Sequence, residues 1–178
     1  IVLAPASVQE MADFVFEGFC LAEKYRNPAM ILTDGALGQM MEKVILPEEG
    51  SLKKIEKPWA TTGKKKDRDH NIITSLFIKP EEMELVNHQL QEKYRKIESN
   101  EVRYEEIKTK DAEFLLVAFG LSSRICQKTV DLGREKGIKI GLLRPITLYP
   151  YPYKRLNELA DQVDFMMSVE MNAGQMVQ

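Results

Sequence analysis

At 178 residues, 44% hydrophobic and 29% charged, the chain has apolar content for one good core or two small ones, and too much for a disordered polypeptide. A formal net charge of -2 and a pI near 5.8 exclude a global basic field that would draw it onto nucleic acid or anionic lipid. Nothing in it matches the run of about 18 apolar residues of a membrane-spanning helix, or the charged, apolar and cleavage segments of a signal peptide, so a cytoplasmic location is expected.

Residues 1 to about 46 read as strand, helix, strand. Val8, Met11, Ala12, Val15, Phe19 and Ala22 recur at helical spacing and are assigned to the buried face. Ser7 and Glu10 make the S-x-x-E box that starts the helix, and Asn27-Pro28 ends it, because the residue before proline is pushed out of the helical region. The run Ala29 to Thr33 then reads as a buried strand, completing a β-α-β unit of a parallel sheet.

Residues 47 to about 80 differ in kind. Pro47, Gly50, Pro58, Gly63 and Pro80 punctuate a stretch rich in lysine, which reads as a linker; its length argues for a domain boundary. From Glu81 to about Lys108 the pattern is helical, with a narrow stripe of Met83, Leu90, Ile97 and Tyr104 and a break near Ser99-Asn100.

The α/β pattern returns at Phe114–Phe119, followed by Gly120, a helix that Ser122 or Ser123 can cap and that Gly137 can end, a buried strand from Ile138 to Leu143, a short helix around Leu156, Leu159 and Ala160, and a third strand from Val163 to Glu170. Apolar strands separated by helices indicate a parallel sheet covered on both faces. The expected fold class is therefore α/β, two small parallel-sheet layers joined by a linker and a long helix. The apolar run at Ile1–Ala4 and the open stretch after Glu170 suggest a piece of a longer polypeptide.

Few residues carry chemistry. Cys20 and Cys126 lie about a hundred positions apart in amphipathic helices, which builds neither a disulfide framework nor a four-thiolate cluster; both are assigned to core packing. His70 and His88 lack a second metal ligand at i+3 or i+4. Trp59 is expected to pin the linker onto a domain. The basic run Lys64–Arg68 reads as a solvated linker, with a phosphate-bearing ligand such as coenzyme A or an acidic electron carrier as the alternative.

Phe119-Gly120-Leu121-Ser122-Ser123 stands where nucleotide phosphates sit in dinucleotide-binding folds, but the second and third glycines of that motif are absent, and so is a later acid for the ribose. Asp34-Gly35-Ala36-Leu37-Gly38-Gln39 follows the carboxyl end of a strand, where open α/β sheets place ligands. The two glycines permit close approach or positive φ there. Glu170-Met171-Asn172-Ala173-Gly174-Gln175 holds the equivalent place after the last strand and reads as interface structure.

Taken together, Ile1–Met11, Pro28–Thr33 and Asp34–Met40 resemble the end of the pyrimidine-binding domain in alpha subunits of 2-oxoacid:ferredoxin oxidoreductases, closest to the 2-oxoisovalerate type. Gly141–Pro150 and Val169–Met176 resemble the transketolase C-terminal-like domain that follows it. The resemblance implies residues 1–46 as pyrimidine domain, 47–110 as linker and long helix, and 111–178 as the transketolase C-terminal-like domain.

It further implies oxidative decarboxylation of a 2-oxoacid to an acyl-coenzyme A, with electrons passed to ferredoxin. Thiamine diphosphate and magnesium are then held by a partner beta subunit and four-iron four-sulfur clusters by other partners, with none of them expected on this chain alone. No catalytic residue is carried over. Asp34, Gly35 and Gly38 are candidates for approach to the cofactor or a subunit interface, and Arg144, Glu170 and Asn172 for the interface. Two other readings remain: a noncatalytic assembly module, and a component of another thiamine-dependent enzyme sharing the Arg144 turn and the Glu170 strand end.

Overall fold

The computed structural model describes residues 1–48, 55–64 and 66–177. Strand β1 (Val2–Leu3) leads to helix α1 (Val8–Tyr25) and strand β2 (Met30–Ile31); after a long connection come α2 (Pro80–Asn100), β3 (Tyr104–Ile107), β4 (Phe114–Val117), α3 (Gly120–Glu135), β5 (Ile140–Pro145), β6 (Thr147–Tyr149), α4 (Tyr153–Ala160) and β7 (Phe165–Ser168). Between Gln39 and Pro80 there is no helix or strand among the described residues. Gly50, Lys53, Lys54 and Lys65 of the expected linker lie outside them.

The strands form two sheets, ordered β2-β1-β6 and β3-β5-β4-β7. The expected parallel pairs are present: β1 with β2, and β4 with both β5 and β7. Each sheet also carries an antiparallel edge strand that the sequence reading did not contain, β6 on β1 and β3 on β5, so both are mixed. The long helix stops at Asn100, and Tyr104 and Ile107, read as its continuation, belong to β3. A four-residue strand of sequence Tyr-Glu-Glu-Ile has too little alternation to separate from a helix by periodicity.

The buried face of α1 is Phe14, Gly18 and Leu21, packed with Ile1 and Leu3. This differs from the expected face: Val15 and Phe19 are exposed, at 43% and 67%. Apolar residues cover more than one side of this helix, so spacing alone does not choose which side is buried. The strand β2 is likewise an edge, with Met30 and Leu32 exposed rather than buried. Ser7 caps α1 by accepting from the Glu10 amide, as the box requires. Arg26 in the left-handed region closes the helix ahead of Pro28.

In the second sheet the two-residue period of β4 is realised directly. Leu116 and Ala118 face α3, packing with Cys126, Val130 and Leu142, while Leu115 and Val117 face α4, packing with Leu143 and Leu159. The sheet is thus covered on both faces at its centre. At its edge β7 it is not, since Phe165 and Met167 are more than three-fifths exposed. At the far end of α3, Gly137 has φ +80°, its amide donates to the Arg134 carbonyl and the Ile138 amide to that of Gly133, which is the Schellman closure.

Helix α2 meets the first core through Ile97, the buried member of the expected stripe. Just beyond it, Glu101 accepts from Lys24 Nζ and from the Tyr25 hydroxyl, each at 2.6 Å, and Arg103 bridges Glu101 to Glu17. The Arg26 guanidinium lies 4.5 Å over the Trp59 ring and Lys57 pairs with Glu23, so the connection is pinned to α1 through Trp59 as expected.

Candidate functional site

The carboxyl ends of β2, β4 and β7 converge on one cleft. Its inner part, of about 200 Å³, is lined by Thr33, Asp34, Gly120, Ser122, Glu170 and Met171 among others. It continues into a second part of about 250 Å³ beside Leu148, Tyr151, Tyr153 and Met176, and both parts share Leu32, Phe119, Asn172 and Gln175. This is the position the topology favours, because β5 lies to one side of β4 and β7 to the other, leaving a crevice at the strand ends.

Three of the sequence candidates meet here. Asp34 Oδ1 accepts from the Leu37 amide at 2.7 Å and Oδ2 from the Leu121 amide at 3.1 Å. Glu170 accepts from the Met176 amide at 3.0 Å and from the Ser168 hydroxyl at 3.1 Å. Asn172 Oδ1 accepts from the Gly174 and Gln175 amides. Gly35 and Gly38 do not line the cleft; neither has positive φ, and a Cβ on either would meet nothing within 4 Å.

Arg144 sits elsewhere, in a groove beside Glu10, Glu105 and Arg124. Only 8% of its side chain is exposed, and it pairs bidentately with Glu10, with Nη1 also donating to Glu105 at 3.1 Å. Its buried Nε has no hydrogen-bond partner among the described residues. Arg144 thereby joins α1 of the first unit to β3 and β5 of the second.

Burial acts to raise the Glu170 carboxyl, but the Met176 amide, the Asn172 side chain and the Ser168 hydroxyl outweigh it and hold the group below the usual carboxylate range. It is ionised at neutral pH, which does not suit a general acid. Tyr151, at the cleft wall, has a buried hydroxyl without a partner among the described residues, and burial pushes it up to about 12, so it stays a phenol. Desolvation also raises the Cys126 thiol, consistent with packing rather than reactivity; Cys20 is partly buried.

The seryl cap expected for α3 is replaced. Ser123 donates its hydroxyl back to the Gly120 carbonyl, Phe119 is the N-cap residue without a side-chain bond, and Asp34 supplies the acceptor from a distant loop. Phe119 and Gln175 stood inside stretches the sequence marked at strand ends but were not chosen as site residues, and Tyr151 was not marked as a cleft residue at all. Among the described residues no group of three or more His, Cys, Asp or Glu side chains is placed to hold a metal ion. With the helix terminus already occupied by a carboxylate, these residues do not make a seat for a magnesium diphosphate.

Residues 1–109 match the family model "Pyruvate flavodoxin/ferredoxin oxidoreductase, thiamine diP-bdg". The chain belongs to that family. Residues 112–178 match a second model, "Pyruvate:ferredoxin oxidoreductase core domain II". The ketoisovalerate oxidoreductase subunit VorB of Methanothermobacter thermautotrophicus is 51% identical over 176 residues, covering 99% of this chain and 50% of that protein. The 2-oxoglutarate synthase subunit KorA of Methanocaldococcus jannaschii is 34% identical, covering 98% and 53%.

The chain thus spans about half the length of the curated relatives it matches. A solved 2-oxoglutarate:ferredoxin oxidoreductase from Magnetococcus marinus, with 2-oxoglutarate, coenzyme A and succinyl-CoA bound, superposes with a TM-score of 0.74 over 98% of this chain and 36% of that one; at 18% identity it shows the α/β fold alone. The resemblance to 2-oxoacid:ferredoxin oxidoreductase subunits is borne out.

Proposed function

We propose that this chain works within a 2-oxoisovalerate:ferredoxin oxidoreductase, which decarboxylates a branched 2-oxoacid oxidatively to an acyl-coenzyme A and delivers the electrons to ferredoxin. The observation that carries the reading is the 51% identity to a ketoisovalerate oxidoreductase subunit across nearly the whole chain, against 34% to a 2-oxoglutarate synthase subunit. Thiamine diphosphate with magnesium, bound by a partner beta subunit, supplies the decarboxylation chemistry, and four-iron four-sulfur clusters on further subunits take the electrons.

This chain's own residues build a wall. Glu170 and Asn172 spend their acceptors on the turn that follows β7, and Asp34 spends both of its own on backbone amides. They shape the cleft and present it to a partner subunit, and Arg144 holds the two sheets that carry it. Gly35 and Gly38, on the outer side of the Asp34 loop, belong to the same contact face. The division into a pyrimidine-type domain to residue 46, a connecting segment to 110 and a transketolase C-terminal-like domain beyond is part of this proposal, with β3 and β6 pairing across those segments. The assembly is placed in the cytoplasm as part of the same proposal; no described helix is long and apolar enough to cross a membrane.

The test is anaerobic. The intact subunit is co-expressed with its partners, loaded with thiamine diphosphate, magnesium and coenzyme A, and its iron–sulfur absorbance is followed as single 2-oxoacids are added. Bleaching with 2-oxoisovalerate ahead of pyruvate or 2-oxoglutarate is the expected result. Bleaching led by another 2-oxoacid would refute the substrate. No bleaching from a loaded complex would leave a noncatalytic assembly module.

A further inference from the structure

The turn between β4 and α3 has the form that receives phosphate in nucleotide-binding sheets: a parallel strand, a glycine at φ +59° and the start of a 16-residue helix. Such a terminus carries partial positive charge and unsatisfied amides, and it attracts an anion. Here an anion of the chain itself has taken the place. Asp34 Oδ2 accepts from the Leu121 amide at 3.1 Å, although 87 positions separate the two residues. A Cβ on Gly120 would lie 3.2 Å from that same oxygen, so a side chain there would press the carboxylate back by a few tenths of an ångström as well as strain the positive φ. The other oxygen, Oδ1, accepts from Leu37, whose side chain is fully buried.

We propose that Asp34 is a built-in anion, a positioning residue that fills the phosphate seat at the head of α3 and thereby fastens the loop after β2 to the turn after β4. Two consequences follow from this arrangement. The inner part of the cleft, between Leu32 and Asp34 on one side and Phe119 and Gly120 on the other, is held by one carboxylate. The helix terminus is also closed to phosphate-bearing ligands while that carboxylate is in place. Thermal unfolding and hydrogen exchange read this tie without turnover, so its absence is distinguishable from the absence of the proposed 2-oxoacid reaction.

The experiment compares wild type, Asp34→Ala and Asp34→Asn in the intact assembled enzyme, by thermal unfolding in chloride and in inorganic phosphate at matched ionic strength. In chloride, Asp34→Ala is expected to lose about 2–4 °C, the effect of one missing cap. Phosphate should restore at least half of that loss in Asp34→Ala while leaving wild type and Asp34→Asn, whose side chains still fill the seat, unmoved. Equal response of wild type and Asp34→Ala to phosphate, or no loss in chloride, overturns the proposal. If Asp34→Ala does not accumulate, hydrogen exchange over Phe119–Arg124 decides it: exchange about fivefold faster in Asp34→Asn than in wild type supports the tie, and unchanged exchange refutes it.

Discussion

Arg144 and Glu101 are the residues whose surroundings dictate the largest single effects. Arg144 is buried, and its removal would strand Glu10 and Glu105, which keep partial access to water at 30% and 48%. A fully buried pair broken on one side costs about 3–5 kcal/mol, and the exposure of the two acids reduces that to about 2–3 kcal/mol for Arg144→Met. Arg144→Lys should recover less than half, because an ammonium cannot reproduce the bidentate contact. Urea unfolding midpoints of the three proteins test both statements. Glu101 gives a pH dependence. Burial raises its carboxyl, but the bonds from Lys24, Tyr25 and Arg103 more than reverse this, and the folded pKa lies below the unfolded value of about 4.3. The stabilisation is therefore present above that value and is lost as pH falls through the folded pKa. Thermal midpoints measured from pH 6 downward should fall less steeply in Glu101→Gln than in wild type, and parallel curves would refute the assignment.

At the scale of elements, the centre of the second sheet is the most constrained place. Gly141 on β5 faces the Lys108 carbonyl so closely that a Cβ would lie 2.8 Å from it and 3.1 Å from Ala112 Cβ. Since the obstacle is backbone, Gly141→Ala must part the segment after β3 from β5, and a loss of about 1–3 kcal/mol is expected. Gly137→Ala meets no atom and suffers only its φ of +80°, so it should lose about 1–2 kcal/mol through the Schellman closure alone. Denaturant unfolding distinguishes the two if hydrogen exchange is followed in parallel, because only Gly141→Ala should release the β3 amides. These two glycines show what local sequence reading reaches. Gly137 was legible as a helix stop, since that rule is local. The demand on Gly141 arises from a neighbour 33 positions earlier in the chain, and no periodicity reports it.

Across the whole molecule, the parallel strands and the four described α-helices were legible, because β4 and β5 are continuous apolar runs, α1, α3 and α4 carry caps, stops or compact apolar faces, and α2 carries a helical stripe whose break near Ser99-Asn100 marks its end. The edge strands were not. Thr147-Leu148-Tyr149 joins the first sheet only because the chain doubles back after β5, and its pairing with Val2 and Leu3 is invisible from either segment alone. The cleft was half legible: Asp34, Glu170, Asn172 and the turn holding Phe119 stand beyond strand ends, where open α/β sheets place ligands, while Tyr151 entered the cleft through the packing of loops.

Asp34, Glu170 and Asn172 commit their acceptors at the cleft to the chain's own backbone amides, which under the proposed function makes them shape the cleft without transferring protons. The most direct test is the rate of iron–sulfur reduction at saturating 2-oxoisovalerate in the assembled enzyme carrying Glu170→Gln. A kcat within about threefold of wild type is expected, since no proton transfer depends on this carboxylate; a fall of about a hundredfold or more, with assembly intact, is the signature of a general acid or base and would contradict the structural role of Glu170.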